Sequence, residues 1–474
     1  MALLLGCLLL AGSALSLASC RRGGVAEPPG GEGDLAPSIV TAGAGREAAI
    51  ALGPFANLRT MGWLTASEAY GWGDVTDARQ IYVTLGVGGD TRSAAIPVAD
   101  QLAVAFPLPG GAGCAGVHYS DFTAWVHPMT GSPISLGEAN SMALSPTGAR
   151  LLTFGRKGAT CFDTKTWAGT VQTQIPQYEF PYSGCAVSWI TDSLIVVRAD
   201  GGDQVSGNLT MVAQPGGQVL ATISGGGAIL SPYPSSGGEW LAVLAIDPAK
   251  ALTMPEAPYP LDAGRELRVY RVPDPQPVAV ISLSDPAAGK SITGLAWSPD
   301  GGSLAYAEVS VDSMPEPGRP SYGRTSVVFV ARGPAFAPTA LALGAEGPWL
   351  PARFSPAGDH LFLEDPVADK AMVWDFASGG ATPVAAKMSI LAWLGEELAL
   401  GSSRENDTAG RPLLVEAASG TATDPGWPGG EWVASPDGKR IAIRVTVGAG
   451  EDLRPFGKVA AGDWLVVRPV DRPR

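Results

Sequence analysis

Four stretches of this chain repeat one local design: an apolar run, the tetrapeptide Ser-Pro-x-Gly, and a second apolar run. They begin at Met142, Leu295, Ala352 and Trp432. The chemistry of the turn is legible. Proline presets φ at the first central position, and glycine takes the left-handed conformation that sends the chain back on itself. The flanking runs then pair as an antiparallel hairpin. One hairpin cannot bury both of its faces, so repetition at a fixed spacing demands an architecture in which like units stack.

Weaker copies fill the gaps. Residues 186–197 and 390–400 keep strand, turn and strand without the proline, and 229–244 is a lengthened version. A third strand follows each hairpin, as at 267–270, 327–330, 372–374 and 465–467, and a fourth often comes next, as at 278–283. Four antiparallel strands per unit, repeating at about 40–65 residues, describe a propeller blade. These residues resemble the TolB-type and WD40-like propeller repeats, in which Ser-Pro-Asp-Gly joins the two innermost strands of a blade. The resemblance implies an all-β fold: a single β-propeller of seven or eight four-stranded blades over residues 38–474. Seven units run from Ser141 onward and one more lies around 102–106. Residues 39–90 either belong to that first blade or supply a strand that closes the ring.

The N-terminus carries a different signal. The first 19 residues contain no charged side chain, and 3–17 is almost wholly Leu, Ala, Gly and Ser. That run is too short to span a bilayer comfortably and matches a signal-peptide core. It closes on Leu17-Ala-Ser-Cys20, which resembles the bacterial lipobox, although no Lys or Arg follows Met1. The resemblance implies lipidation at Cys20 and a protein anchored by lipid on the extracytoplasmic side of a membrane. Residues 21–37, rich in Gly, Pro and Glu, have little to bury and read as a tether. As a flexible coil it would reach roughly 20–25 Å. The expected organisation is 1–19 signal peptide, 20–37 lipidated cysteine and tether, and 38–474 propeller.

The formal net charge is −13, and all of it lies beyond residue 19. Nucleic-acid binding would need clustered Lys and Arg, and the chain has none of the expected footprint. Acidity also disfavours broad contact with anionic lipid, so the membrane is expected to be met through the anchor alone. Once Cys7 and Cys20 are set aside, Cys114, Cys161 and Cys185 remain. The pair closest in sequence, Cys161 and Cys185, is the preferred disulfide, with three unpaired thiols as the alternative.

Catalytic motifs are missing. His118, His127 and His360 form no His-Glu-x-x-His pattern, and neither a Gly-x-Ser-x-Gly elbow nor an Asp-x-Asp-x-Asp-Gly calcium loop occurs. No cofactor or metal is expected. The tryptophans at 189, 297 and 393 share one repeat position and are expected in the core. The extra residues that lengthen the repeat fall between the second and third strands, at 247–264, 311–324, 402–411 and 446–462. In a propeller such connections emerge at one end, where loops grow without disturbing the stacked core. They and their edges hold Tyr259, Arg265, Arg319, Tyr322, Arg324, Arg404, Arg411, Arg454 and Phe456. Aromatic and Arg side chains are common anchors of interfaces; the plainer role for Arg265, Arg324 and Arg411, each after a glycine, is a water-exposed strand start. The resulting expectation is a monomeric, non-catalytic scaffold for a protein, peptide or cell-envelope ligand. The alternatives are a propeller enzyme acting on glycans through acidic residues at the channel, and an extracytoplasmic sensor or solute-binding module.

Overall fold

In the computed structural model the chain forms a closed ring of nine β-sheets. The structure describes residues 38–470, apart from 43–48, 77–78, 97–101, 119–120, 140, 156–157, 173–186, 202–203, 247–263, 285–289, 312–321, 345, 405–409, 428–429 and 454. Blades 1 to 8 occupy 57–96, 102–138, 141–172, 187–223, 229–282, 290–340, 350–383 and 388–423, and each is a meander of four consecutive antiparallel strands. Blade 9 is composite. Its three inner strands are Glu431–Ala434, Arg440–Val447 and Gly462–Pro469, and its outer two, Ala49–Phe55 and Ser38–Ala42, come from the other end of the chain. Pairing of Ile50 with Val467 and Leu52 with Leu465 joins the two ends.

Nine blades correct the expectation of seven or eight. The seven units beyond Ser141 and the one around 102–106 are all present. The miscounted stretch is 39–90, which does two jobs: 38–55 closes the ring, and 57–96 is a complete blade. That blade lacks the proline turn. Its first two strands, Asn57–Thr65 and Glu68–Thr76, are joined through Ala66 and Ser67, with the Thr65 hydroxyl accepting the Ser67 N–H at 3.1 Å. A side-chain-closed turn serves the same geometry as Ser-Pro-x-Gly.

The core is not one mass but nine layers, each between two neighbouring sheets. The second strand of blade 5, Trp240–Ile246, shows how the sequence serves two layers. Ala242, Leu244 and Ile246 pack toward blade 6 with Leu304, Tyr306 and Phe336. Leu241, Val243 and Ala245 pack toward blade 4 with Val196, Leu209 and Met211. Successive side chains of a strand point to opposite faces, and both faces here are covered. A strand buried on both sides reads as an unbroken apolar run. Each such Leu or Ile stabilises the fold by about 1.5–3 kcal/mol on leaving water.

Polar contacts set the blade spacing. The turn serines Ser145, Ser235, Ser298, Ser355 and Ser435 are buried. Each hydroxyl accepts the backbone N–H five residues on, at 2.8–3.1 Å. Four indoles then reach across the seams. Trp63 donates to the carbonyl of Val433, Trp189 to Ala143, Trp297 to Tyr233 and Trp393 to Arg353, at 2.9, 3.1, 2.9 and 3.4 Å. Every acceptor lies two residues before a buried turn serine of the preceding blade. The three tryptophans expected in the core are indeed there, with Trp189 and Trp393 buried and Trp297 partly so. They also tie blades together. Gly438 is required twice over: its φ is 67°, and a Cβ there would stand 2.6 Å from the Leu394 carbonyl carbon of blade 8.

Candidate functional site

Because every innermost strand runs in the same sense, all second-to-third-strand connections emerge at one end of the ring. The four lengthened ones join Ile246 to Gly264 in blade 5, Val311 to Tyr322 in blade 6, Ser403 to Pro412 in blade 8 and Val447 to Gly462 in blade 9. The Ser-Pro-x-Gly turns occupy the opposite end.

The best-defined part of this loop end belongs to blade 9. Its long connection folds into a small hairpin, Asp452–Leu453 with Gly457–Lys458. Leu453 is 1% exposed, and half-buried Phe456 packs against the layer that holds Trp427, Val447 and Trp464. Phe456 is therefore anchored inward and holds the hairpin down. Between the hairpin and the approach to blade 9 lies an open cavity of about 210 Å³, lined by Trp427, Thr446, Val447, Glu451, Asp452 and Leu453 among others. The Glu451 carboxylate caps its own turn by accepting the Gly448 N–H at 2.8 Å. The cavity thus has an aromatic wall and an acidic rim.

Of the other expected residues, Arg404 and Arg411 are exposed at the two ends of the blade 8 connection, bridged by the bond from the Ser403 N–H to the Arg411 carbonyl at 2.7 Å. Arg404 donates its Nε–H to Ser389 Oγ at 2.8 Å. Arg265 is half-buried on the third strand of blade 5, and its carbonyl accepts the Leu283 N–H at 3.4 Å. Tyr322 begins the third strand of blade 6, with Arg324 two residues along it. Cys20, Tyr259, Arg319 and Arg454 lie outside the described residues, as does Cys185. Cys161 and Cys114 are buried free thiols. Burial pushes the Cys114 thiol up to about 12 and raises that of Cys161 as well.

A second polar system lies at the seams, where a side chain of a third strand grips the backbone leading into the next blade. Gln80 makes a two-way bond with the backbone of Leu102, at 2.9 and 3.3 Å. Asn208 accepts the Gly225 N–H at 3.1 Å, and Ser326 donates to the Trp349 carbonyl at 2.9 Å. Asp463, 5% exposed, accepts the Leu58 N–H, both Arg444 Nε–H and Nη2–H, and the Thr446 hydroxyl. These clamps are isolated polar residues in apolar strands. Their shared strand position was a signal in the sequence, visible only once the strands are aligned by blade.

Among the described residues, no three His, Cys, Asp or Glu side chains cluster to hold a metal ion. The innermost strands carry one acidic residue among the described residues, Glu431, and it is exposed.

No family model matches the chain, and no curated protein matches it. Solved structures do. A eukaryotic initiation factor aligns with a TM-score of 0.50 at 15% identity over 77% of this chain and 87% of its own. The C-terminal WD40 domain of Sif2 aligns at 0.44 and 12% identity over 88% and 97%, and the Dos1 propeller at 0.44 and 11% over 78% and 92%. At such identities the likeness concerns fold alone. The fold is a β-propeller.

Proposed function

We propose that this chain is an exported, lipid-anchored protein with a TolB-type propeller that serves as a non-catalytic binding scaffold. Its ligand is a protein, a peptide or a polymer of the cell envelope, held at the loop end of the ring. The observation that carries this reading is the strand order, by which all four lengthened connections leave from one end of the ring. A propeller compatible with such a role places many loops on one rigid plane, so that contacts from several blades add. The lipobox-like Leu17–Cys20 segment and the Gly/Pro-rich stretch behind it support a location within a few nanometres of a membrane.

Two experiments test this. Cys20→Ala should move the protein from the membrane fraction to the soluble fraction, and unchanged retention refutes the anchor. In-cell crosslinking of the tethered protein should trap a partner that is lost when Arg404 and Arg411 are both replaced by Ala. Turnover of a glycan library by the purified chain, with crosslinking unaffected by the loop variants, would overturn the scaffold.

A further inference from the structure

The point where the chain enters the ring fixes which end of the ring an N-terminal anchor can hold to a membrane. Ser38 opens the outermost strand of blade 9, and the pairing gives its level. Ser38 lies opposite Gly53, and Ala42 opposite Ala49. On that second strand, Leu52 pairs with Leu465 and Phe55 with Asp463. Asp463 pairs with Thr446, one rung from the Val447–Gly462 pair where the long blade 9 connection departs. Three successive antiparallel pairings therefore bring Ser38 level with the base of that connection. The chain arrives at the loop end, and the Ser435–Gly438 turn lies at the far end of the same blade.

The length of the tether makes this placement count. As a flexible coil, residues 20–37 reach roughly 20–25 Å. The strand Arg440–Val447 has eight residues, so the Ser-Pro-x-Gly end stands about 23 Å beyond the loop end. Bringing the turn end to the bilayer would use the whole average reach of the tether along the side of the blade. Bringing the loop end there needs no such detour. Lipid itself is a poor occupant of that end. Glu451 and Asp452 are exposed on the blade 9 connection, and the chain carries −13 overall, which opposes an anionic surface. Leu453 is buried and Phe456 packs inward, so the described residues of this connection offer no exposed large apolar side chain to enter headgroups. Confinement near the bilayer instead raises the effective concentration of the loop end toward proteins that share the membrane.

We propose that the loop end of the ring faces the bilayer that holds Cys20, and that its partner is the extracytoplasmic segment of a membrane-embedded protein. This rests on the lipid-anchored scaffold proposed above and narrows its ligand to one class.

The test uses the full lipidated chain, inserted into phosphatidylcholine vesicles whose headgroups carry an acceptor dye. In a Cys185→Ser background, a donor dye is attached at one of two exposed sites of blade 9: Lys458→Cys at the loop end or Lys439→Cys at the turn end. The two ends differ by about 23 Å in height, so energy transfer should be about twofold or more stronger from Lys458→Cys. Equal transfer, or stronger transfer from Lys439→Cys, overturns the orientation while leaving the anchor standing. Full retention of Cys20→Ala in cell membranes fails the anchor itself, and binding of purified Cys20→Ala to the vesicles makes lipid the occupant and overturns the protein partner. In cells, a photo-crosslinking residue in place of Lys458 should trap a protein that stays in the membrane through alkaline washing, and one in place of Lys439 should not. A product released by that wash, a product destroyed by glycan digestion, equal trapping from both ends, or no product overturns the partner.

Discussion

Replacing Asp463 by Ala should open the ring at the junction where its two ends meet. The carboxylate lies on the third strand of blade 9, at 5% exposure, and receives the Leu58 N–H of blade 1 at 2.9 Å. It also receives Arg444 at 2.9 and 3.1 Å and the Thr446 hydroxyl at 2.7 Å. Breaking a buried ion pair costs about 3–5 kcal/mol because the surviving charge stays behind. Here Arg444 keeps 27% side-chain exposure and a second bond to Asn57, so it can rehydrate in part. The Leu58 N–H cannot, and an orphaned buried donor costs about 1–3 kcal/mol. Since these costs overlap, about 3 kcal/mol is the expected total.

With roughly 2.1 cal/mol/K per residue over about 430 residues, this lowers Tm by roughly 3 °C if the ring melts as one unit. The drop is larger if the seam opens first. The assay is thermal unfolding by circular dichroism, paired with limited proteolysis mapped by mass spectrometry. New cuts should appear around 49–65. Asp74→Ala is the control: its partner Arg59 is 36% exposed, so that pair is worth less than about 1 kcal/mol. If Asp463→Ala shifts Tm no more than Asp74→Ala, or if the new cuts fall away from the seam, the clamp does not close the ring.

Trp189→Phe should cost about 2 kcal/mol, from the lost indole bond to Ala143 and the void beside it, read as a lower denaturation midpoint; a cost below about 0.5 kcal/mol would deny the seam its role. Acid should unfold the turns in a definite order of sign. The Ser298 hydroxyl and the Gly302 N–H hold the Asp300 carboxyl below its usual 3.8. Burial pushes Asp437 up, but the Ser435 hydroxyl and the Lys439 N–H outweigh it and leave that carboxyl low too. A depressed folded value means stability present above the unfolded pKa and lost as pH falls through the folded one. Asp300→Asn with Asp437→Asn should therefore flatten the fall in Tm between about pH 5 and pH 2; an unchanged acid limb would refute it. Cys114 and Cys161, buried and with raised thiol pKa, should resist iodoacetamide at pH 8 in the native protein and react fully in denaturant, as counted by intact mass. Rapid native labelling of Cys114 would contradict its burial.

Much of the fold was legible because a propeller writes itself locally. Each Ser-Pro-x-Gly turn fixes its own hairpin, and strands buried on both faces show as unbroken apolar runs such as 241–246. Those features depend only on near neighbours in the chain, so residues 141–470 could be divided into seven blades without coordinates. Blade 1 escaped because its turn is closed by a Thr65 hydroxyl, and because Tyr70, Gly71, Trp72 and Gly73 do not look like a strand core. The candidate site was legible in part. The four long connections could be placed between second and third strands, while the inward packing of Phe456 and the bond between Arg404 and Ser389 could not.

The sequence by itself determined the hairpin, its repetition, the apolar filling of each sheet and the end of the ring from which long loops emerge. Tertiary structure alone decided how many sheets close the circle, because that number depends on the angle at which each layer packs and on which distant strands meet. Only there do Ile50 and Val467 pair, and only there does Asp463 reach Leu58 across 405 residues. Contacts that span the chain leave no local trace, since their partners are chosen by the assembled ring and not by their neighbours in sequence.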